Sequence, residues 1–161
     1  MKILATIIFV ASIAISCTKG GKQERIGGDQ YNITSTASSK QMVPAIDNTS
    51  TGTFTGFYDE RSNILSFTIT WNGLWQTTSN DTITSVNFYG PAGAATNGAL
   101  VRSLPFISTN NTASANFGLA GIRGFTISEQ ADFLEGAYYF TINTKKYPNG
   151  IIRGQLEAIK Q

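Results

Sequence analysis

The chain has 161 residues, 41% hydrophobic and only 14% charged, with 12 Lys and Arg against 10 Asp and Glu for a formal charge of +2. That length allows one domain with a single core plus extensions, and the small charge, with no cluster of Lys and Arg, excludes a nucleic-acid partner read through its phosphates. With no histidine and a single cysteine, Ser-His-Asp and Cys-His devices, His/Cys zinc sites and an intrachain disulfide are excluded, and no metal or other cofactor is expected.

Met1-Lys2 gives a short positive start, residues 3–15 an apolar run, and Cys17 stands just beyond it. The run is shorter than the roughly 20 residues a membrane span needs and reads as a secretory signal. Ala14-Ile15-Ser16-Cys17 resembles a bacterial lipobox, with Ala14 where Leu is common. In that reading Cys17 is the acylated first residue of the mature protein and the lipid bilayer is its partner, each buried methylene adding about 0.8 kcal/mol. The competing reading is a free thiol beyond an ordinary cleavage site. Removal of residues 1–16 takes Lys2 and leaves 11 basic residues against 10 acidic, a net +1. Thr18 to Asp29, mostly Gly, Lys, Gln, Glu and Arg, reads as a tether with a typical span of about 20 Å. The expected division is a signal peptide over 1–16, lipidated Cys17 and tether over 17–29, and a β domain over 30–161. The expected location is the bacterial cell envelope, lipid-anchored at the outer membrane. Lys19 and Lys22, in place of an acidic tract after Cys17, favour its periplasmic face.

From residue 31 the period becomes two. Leu65, Phe67, Ile69 and Trp71 alternate with Ser66, Thr68 and Thr70, the pattern of a strand with one apolar and one hydroxyl face. Residues 31–35, 52–58, 83–89, 99–104, 113–119, 138–144 and 151–158 read as further strands separated by Gly, Asn, Asp and Pro. Within 126–136, Thr126 or Ser128 can cap a short helix, Phe133 and Leu134 can face the core and Gly136 can end it. The expected fold class is all-β, an antiparallel β-sandwich or Greek-key barrel of about 7–8 strands with one short helix.

Among groups able to do chemistry, Asp59, Glu60, Glu129, Asp132 and Glu135 could supply the two carboxylates of a glycosidase, although Asp59-Glu60 falls in a hairpin turn and the others on the short helix, where solvation explains them. Gly90-Pro91-Ala92-Gly93 lacks the Lys-Ser/Thr ending of a phosphate-binding loop and reads as a turn. Trp71 belongs to the inward register. Trp75 is the better candidate for an exposed aromatic contact with a sugar or peptide, against a packing role.

The segment 133–156, FLEGAYYFTINTKKYPNGIIRGQL, resembles the C-terminal signature of the CHRD domain family. Leu134, Gly136, Tyr139, Thr144, Pro148, Gly150, Ile152, Arg153, Gly154 and Gln155 fall into register with it. Upstream, QMVPA at 41–45 is similar to the family's Glu-Val-Pro segment, and VNFYGPAG at 86–93 to its His-x-His-Gly-Pro-Ala segment. The resemblance runs from about residue 31 to 156. The chain departs from it at Asn87, Tyr89 and Asn143, where the family usually has histidines, so metal or proton chemistry of those imidazoles does not carry over.

With Val86, Phe88, Phe140 and Ile142 inward, Asn87, Tyr89 and Asn143 turn to the opposite, polar faces of their strands. If those strands are neighbours, Asn87, Tyr89, Asn143 and Arg153 form a possible binding patch. The bland reading is solvated sheet residues plus a structural arginine. Pro148-Asn149-Gly150 closes the hairpin between Asn143 and Arg153. Arg153 reads either as a guanidinium fork that satisfies backbone or carboxylate acceptors or as a site for an anionic ligand. The functional expectation is a non-enzymatic, membrane-tethered binding or structural module of the envelope whose partner is an envelope protein or glycan. The alternative is a carbohydrate-directed envelope enzyme using paired carboxylates.

Overall fold

The computed structural model describes residues 28–74, 81–105, 111–119 and 121–161. The alternating segments form β1 (Gln30–Ser38), β2 (Thr51–Asp59), β3 (Ile64–Asn72), β4 (Ile83–Tyr89), β5 (Leu100–Pro105), β6 (Thr112–Phe117), β7 (Tyr139–Thr144), β8 (Ile152–Gln155) and β9 (Glu157–Lys160), with α1 (Ile127–Leu134) between β6 and β7. They make one nine-stranded sheet in the order β5-β4-β7-β8-β1-β2-β3-β6, with β9 also pairing to β1. Every ladder is antiparallel. The sheet curls into a half-barrel, so its edge strands β5 and β6 face each other across a small apolar cavity of about 150 Å³. The all-β, antiparallel class with one short helix is as expected, in the form of a single curled half-barrel sheet.

The count of nine, against the expected seven or eight, comes from the C-terminal run dividing at Leu156. Ser38 lies opposite Arg153 and Thr34 opposite Glu157, so the register against β1 is the same on both sides of the break. At Leu156 the backbone N–H donates to the carbonyl of Tyr138 instead of to β1, and the side chain is buried in the core.

The concave face holds the core. Phe54, Phe67, Phe88, Phe117 and Phe140 meet with ring centroids 4.8 to 6.2 Å apart, mostly edge to face, and each such ring contributes about 1.5–3 kcal/mol by leaving water. The helix covers one end of this core. Thr126 caps it by accepting from the Glu129 N–H while the Glu129 carboxylate accepts from the Thr126 N–H, a reciprocal arrangement that satisfies two otherwise orphaned donors. Phe133 stacks on Phe125 at 4.6 Å, Leu134 packs half-buried beside it, and Gly136 ends the helix at φ +77°. Asn63, in the β2–β3 turn at φ 54°, donates from Nδ2 to the Phe125 carbonyl and accepts from the Phe125 N–H, which fixes this end to the hairpin.

The convex face is of two kinds. Over β1, β2, β3 and β6 it is open and carries transverse rows of hydroxyls: Thr36, Thr53, Thr70 and Thr112 form one, and Thr34, Thr55, Thr68 and Ser114 the next. Over β4, β7 and β8 the loops of residues 42–46 and 90–98 lie on top, and every residue of β7 is buried. This corrects the expectation that the polar positions of β4 and β7 are solvated: period two places them opposite the core, but a second layer of chain covers them.

Candidate binding site

Strands β4 and β7 are neighbours. Asn87 lies opposite Thr141 and Tyr89 opposite Tyr139, and Thr141 in turn lies opposite Arg153 on β8. Ser85 faces Asn143 across the β4–β7 pair. The alternation therefore brings Asn87, Tyr89, Asn143 and Arg153 to one face of three adjacent strands. Cys17 and Trp75 lie outside the described residues.

Each of the four is engaged. Asn143, only 3% exposed, accepts from Thr141 Oγ1 at 2.6 Å and donates to the Pro148 carbonyl at 2.6 Å, so it ties strand to turn. Gly150 adopts φ +111°, and a Cβ there would come within 2.9 Å of Thr141 Cβ, which is why the turn needs glycine. Asn87 accepts from Ser103 Oγ at 2.7 Å and donates to the Tyr89 hydroxyl at 3.2 Å.

Arg153 is 1% exposed. Its Nη2 donates to the Gly93 carbonyl at 2.8 Å and to Gln155 Oε1 at 3.3 Å, and Nη1 donates to Asn97 Oδ1 at 3.3 Å. The guanidinium carbon lies 3.5 Å from the Tyr139 ring centroid, and Tyr139 stacks on Tyr89 at 5.1 Å and 10°. The acceptors are thus a backbone carbonyl and two amide oxygens, and among the described residues no carboxylate forms an ion pair with this cation. Burial pushes the Arg153 guanidinium below its ordinary value, with the Tyr139 phenol acting the other way.

These bonds gather distant segments. Asn97 Nδ2 donates to the Val43 carbonyl, and Gln155 Nε2 donates to the carbonyls of Ala92 and Gly136. Between the 42–46 loop, Asn97-Gly98 and the 146–150 turn opens a cavity of about 550 Å³, with Tyr89, Tyr139, Thr141 and Arg153 among its lining. That size suits a small molecule. Asn87 and Asn143 do not line it; they hold residues that do. Asn97 and the Met42–Ile46 wall were not singled out as site residues in the sequence, although QMVPA and Pro148-Asn149-Gly150 mark two of the three segments that converge here.

Chemically, the described lining residues include Lys146 and Arg153 as cations and no carboxylate. The candidate acids lie elsewhere. Glu60 accepts from the Asp29 N–H and from Gln130 Nε2, Asp59 from the Ser62 N–H and Gln30 Nε2, and Glu129 from Arg123 and Arg102. Among the described residues no three carboxylate, thiol or imidazole groups gather as metal ligands. Such a cavity is equipped to hold a ligand by charge and shape.

A sequence model of the CHRD domain matches residues 33–156, a span that contains all three segments around the cavity. No curated protein and no solved structure matches the chain.

Proposed function

The chain belongs to the CHRD domain family, and from that premise we propose that it is a non-enzymatic binding module, tethered to the bacterial envelope through acylated Cys17, with the cavity beside Arg153 as its ligand site. The observation that carries this reading is the cavity itself: about 550 Å³, walled by three loops, two of which Arg153, Asn97 and Gln155 lock together while Asn143 ties down the third. Preformed geometry lowers the ordering cost of binding. A carbohydrate-directed hydrolase would need two carboxylates about 5–10 Å apart; Asp59, Glu60 and Glu129 are occupied by structural hydrogen bonds, and neither Asp132 nor Glu135 is among the described residues that line the cavity.

The tether reading rests on Lys2, the apolar run and Cys17. Its test is radiolabelled palmitate incorporation, expected in the wild-type chain and lost in Cys17→Ala. The binding reading is tested by retention of envelope fractions on the immobilised full chain. A protein or glycan fraction should be retained by the wild type and released by Tyr147→Ala, which strips the cavity rim. Equal retention by both would remove the cavity from the account.

A further inference from the structure

Arg153 presents a mismatch between hydrogen bonding and charge. A guanidinium has five N–H donors, and the three hydrogen bonds of Arg153 go to neutral acceptors; beyond the Tyr139 ring, no group among the described residues supplies an ion pair for its charge. A cation withdrawn from water is costly to hold without a counter-charge. Lys146 stands on the exposed turn at the rim of the same cavity, its Nζ 5.5 Å from the Tyr147 ring. Both charged groups among the described lining residues have one sign, and the lining also holds Met42, Val43, Pro44 and Ile46.

We propose that this cavity takes a small organic carboxylate with an apolar body, its anionic end toward Lys146 and Arg153 and its body against the 42–46 loop. The inference rests on reading the domain as a binding module and names the ligand class of that module's site. Charge complementarity selects an anion, because the described lining of the cavity carries cations and no competing acid. The wall selects the body: a polyol would leave hydroxyls against aliphatic side chains without partners. A carboxylate is favoured over a phosphate because one ammonium and a guanidinium already mostly engaged offer few donors for three anionic oxygens. Affinity should follow the ligand's own ionisation and weaken as pH falls through the carboxylate range near 4.

The probes are benzoate, its neutral isostere benzamide, glucuronate and inorganic phosphate, each titrated into the full chain and followed calorimetrically or by saturation-transfer NMR. Benzoate is expected to bind at least about tenfold more tightly than benzamide and glucuronate, and more weakly as salt rises. Lys146→Gln should weaken benzoate about fivefold with an unchanged melting temperature, the scale of one partly screened ion pair. Arg153→Lys, which keeps the charge if Arg153→Gln fails to fold, should retain a preference for benzoate over benzamide. Equal binding of benzoate and benzamide would overturn the anion inference while leaving the binding-module reading intact. Phosphate binding more tightly than benzoate would overturn the choice of a carboxylate. Failure of every probe would also overturn the inference, and the envelope-fraction experiment would then judge the wider reading separately.

Discussion

Two arginines lie buried over aromatic rings on opposite faces of the same sheet, and the chain treats their charges differently. Arg102, 8% exposed, sits opposite Phe88 on the concave side, with its guanidinium carbon 5.0 Å from the Phe117 ring and 5.2 Å from the Phe125 ring. Its Nε and Nη1 have no hydrogen-bond partner among the described residues, yet Nη2 reaches the Gly124 carbonyl at 2.8 Å and Glu129 Oε2 at 3.3 Å. Arg153 has the better hydrogen bonds and no ion pair among the described residues. Hydrogen-bond satisfaction and charge neutralisation are therefore separate requirements. Where the second is met within the chain the cation is structural, and where it is left open beside a cavity the cation is available to a ligand.

The largest expected effect separates the two by stability. Arg153→Ala should cost about 3 kcal/mol, since it empties a large buried volume and takes a donor from Gly93, Asn97 and Gln155. Arg102→Met should cost only about 1–2 kcal/mol, because a flexible apolar chain fills the space between the rings and Glu129 keeps Arg123. Urea unfolding measures both, and the reverse order would break the comparison.

Next comes pH. The Glu129 carboxyl is held far below the usual carboxylate range, chiefly by Arg123 and then by the Thr126 N–H and Arg102, against the opposing pull of burial. A depressed folded-state pKa gives stability that is present above the unfolded value near 4 and is lost as pH falls further. Glu129→Gln should thus cost about 2 kcal/mol at pH 7, with the gap to wild type closing progressively below about pH 4. The deficit of Arg153→Ala should stay flat over the same interval, because no carboxylate pairs with Arg153.

A smaller effect appears at the alkaline end. Tyr58 and Tyr138 are pushed up to about 12, mainly by burial, with the nearby charges of Glu60 and Glu129 respectively adding to it. These phenols favour the folded state below their unfolded value near 10, and that contribution disappears as pH rises towards 12. Burial also pushes Tyr31 up; ultraviolet titration should place Tyr58 and Tyr138 among the late-ionising tyrosines, and Glu129→Gln should bring Tyr138 down while leaving Tyr58 in place. Smallest of all, Lys146→Gln should change stability by less than about 0.5 kcal/mol, so its effect on binding can be read without a folding correction.

The same contrast shows what the sequence discloses. Alternation from Leu65 to Trp71 identifies β3 because a half-buried strand writes its two faces into neighbouring positions. Thr126 and Gly136 bound the helix for equally local reasons, and only the choice of Thr126 over Ser128 needed the reciprocal bond with Glu129. The division at Leu156 is invisible to alternation, which reports the direction of a side chain and not the partner of its N–H. At the site, the outward direction of Tyr89 and Arg153 is legible, but their burial depends on a covering loop that has no period. The bond from Arg153 to Asn97 spans 56 positions, and the partner is an asparagine in a turn-rich stretch with nothing local to mark it. Arg102 was silent for a different reason: a cation on the apolar side of a short strand interrupts the pattern that would have placed it.

The most direct test of the account is nitrogen-15 NMR of the arginine guanidinium groups in the full chain during a benzoate titration. The account predicts that the Arg153 resonances shift saturably with benzoate and not with benzamide, while those of Arg102 stay fixed. Movement of Arg102 instead, or an Arg153 signal indifferent to benzoate, would contradict it.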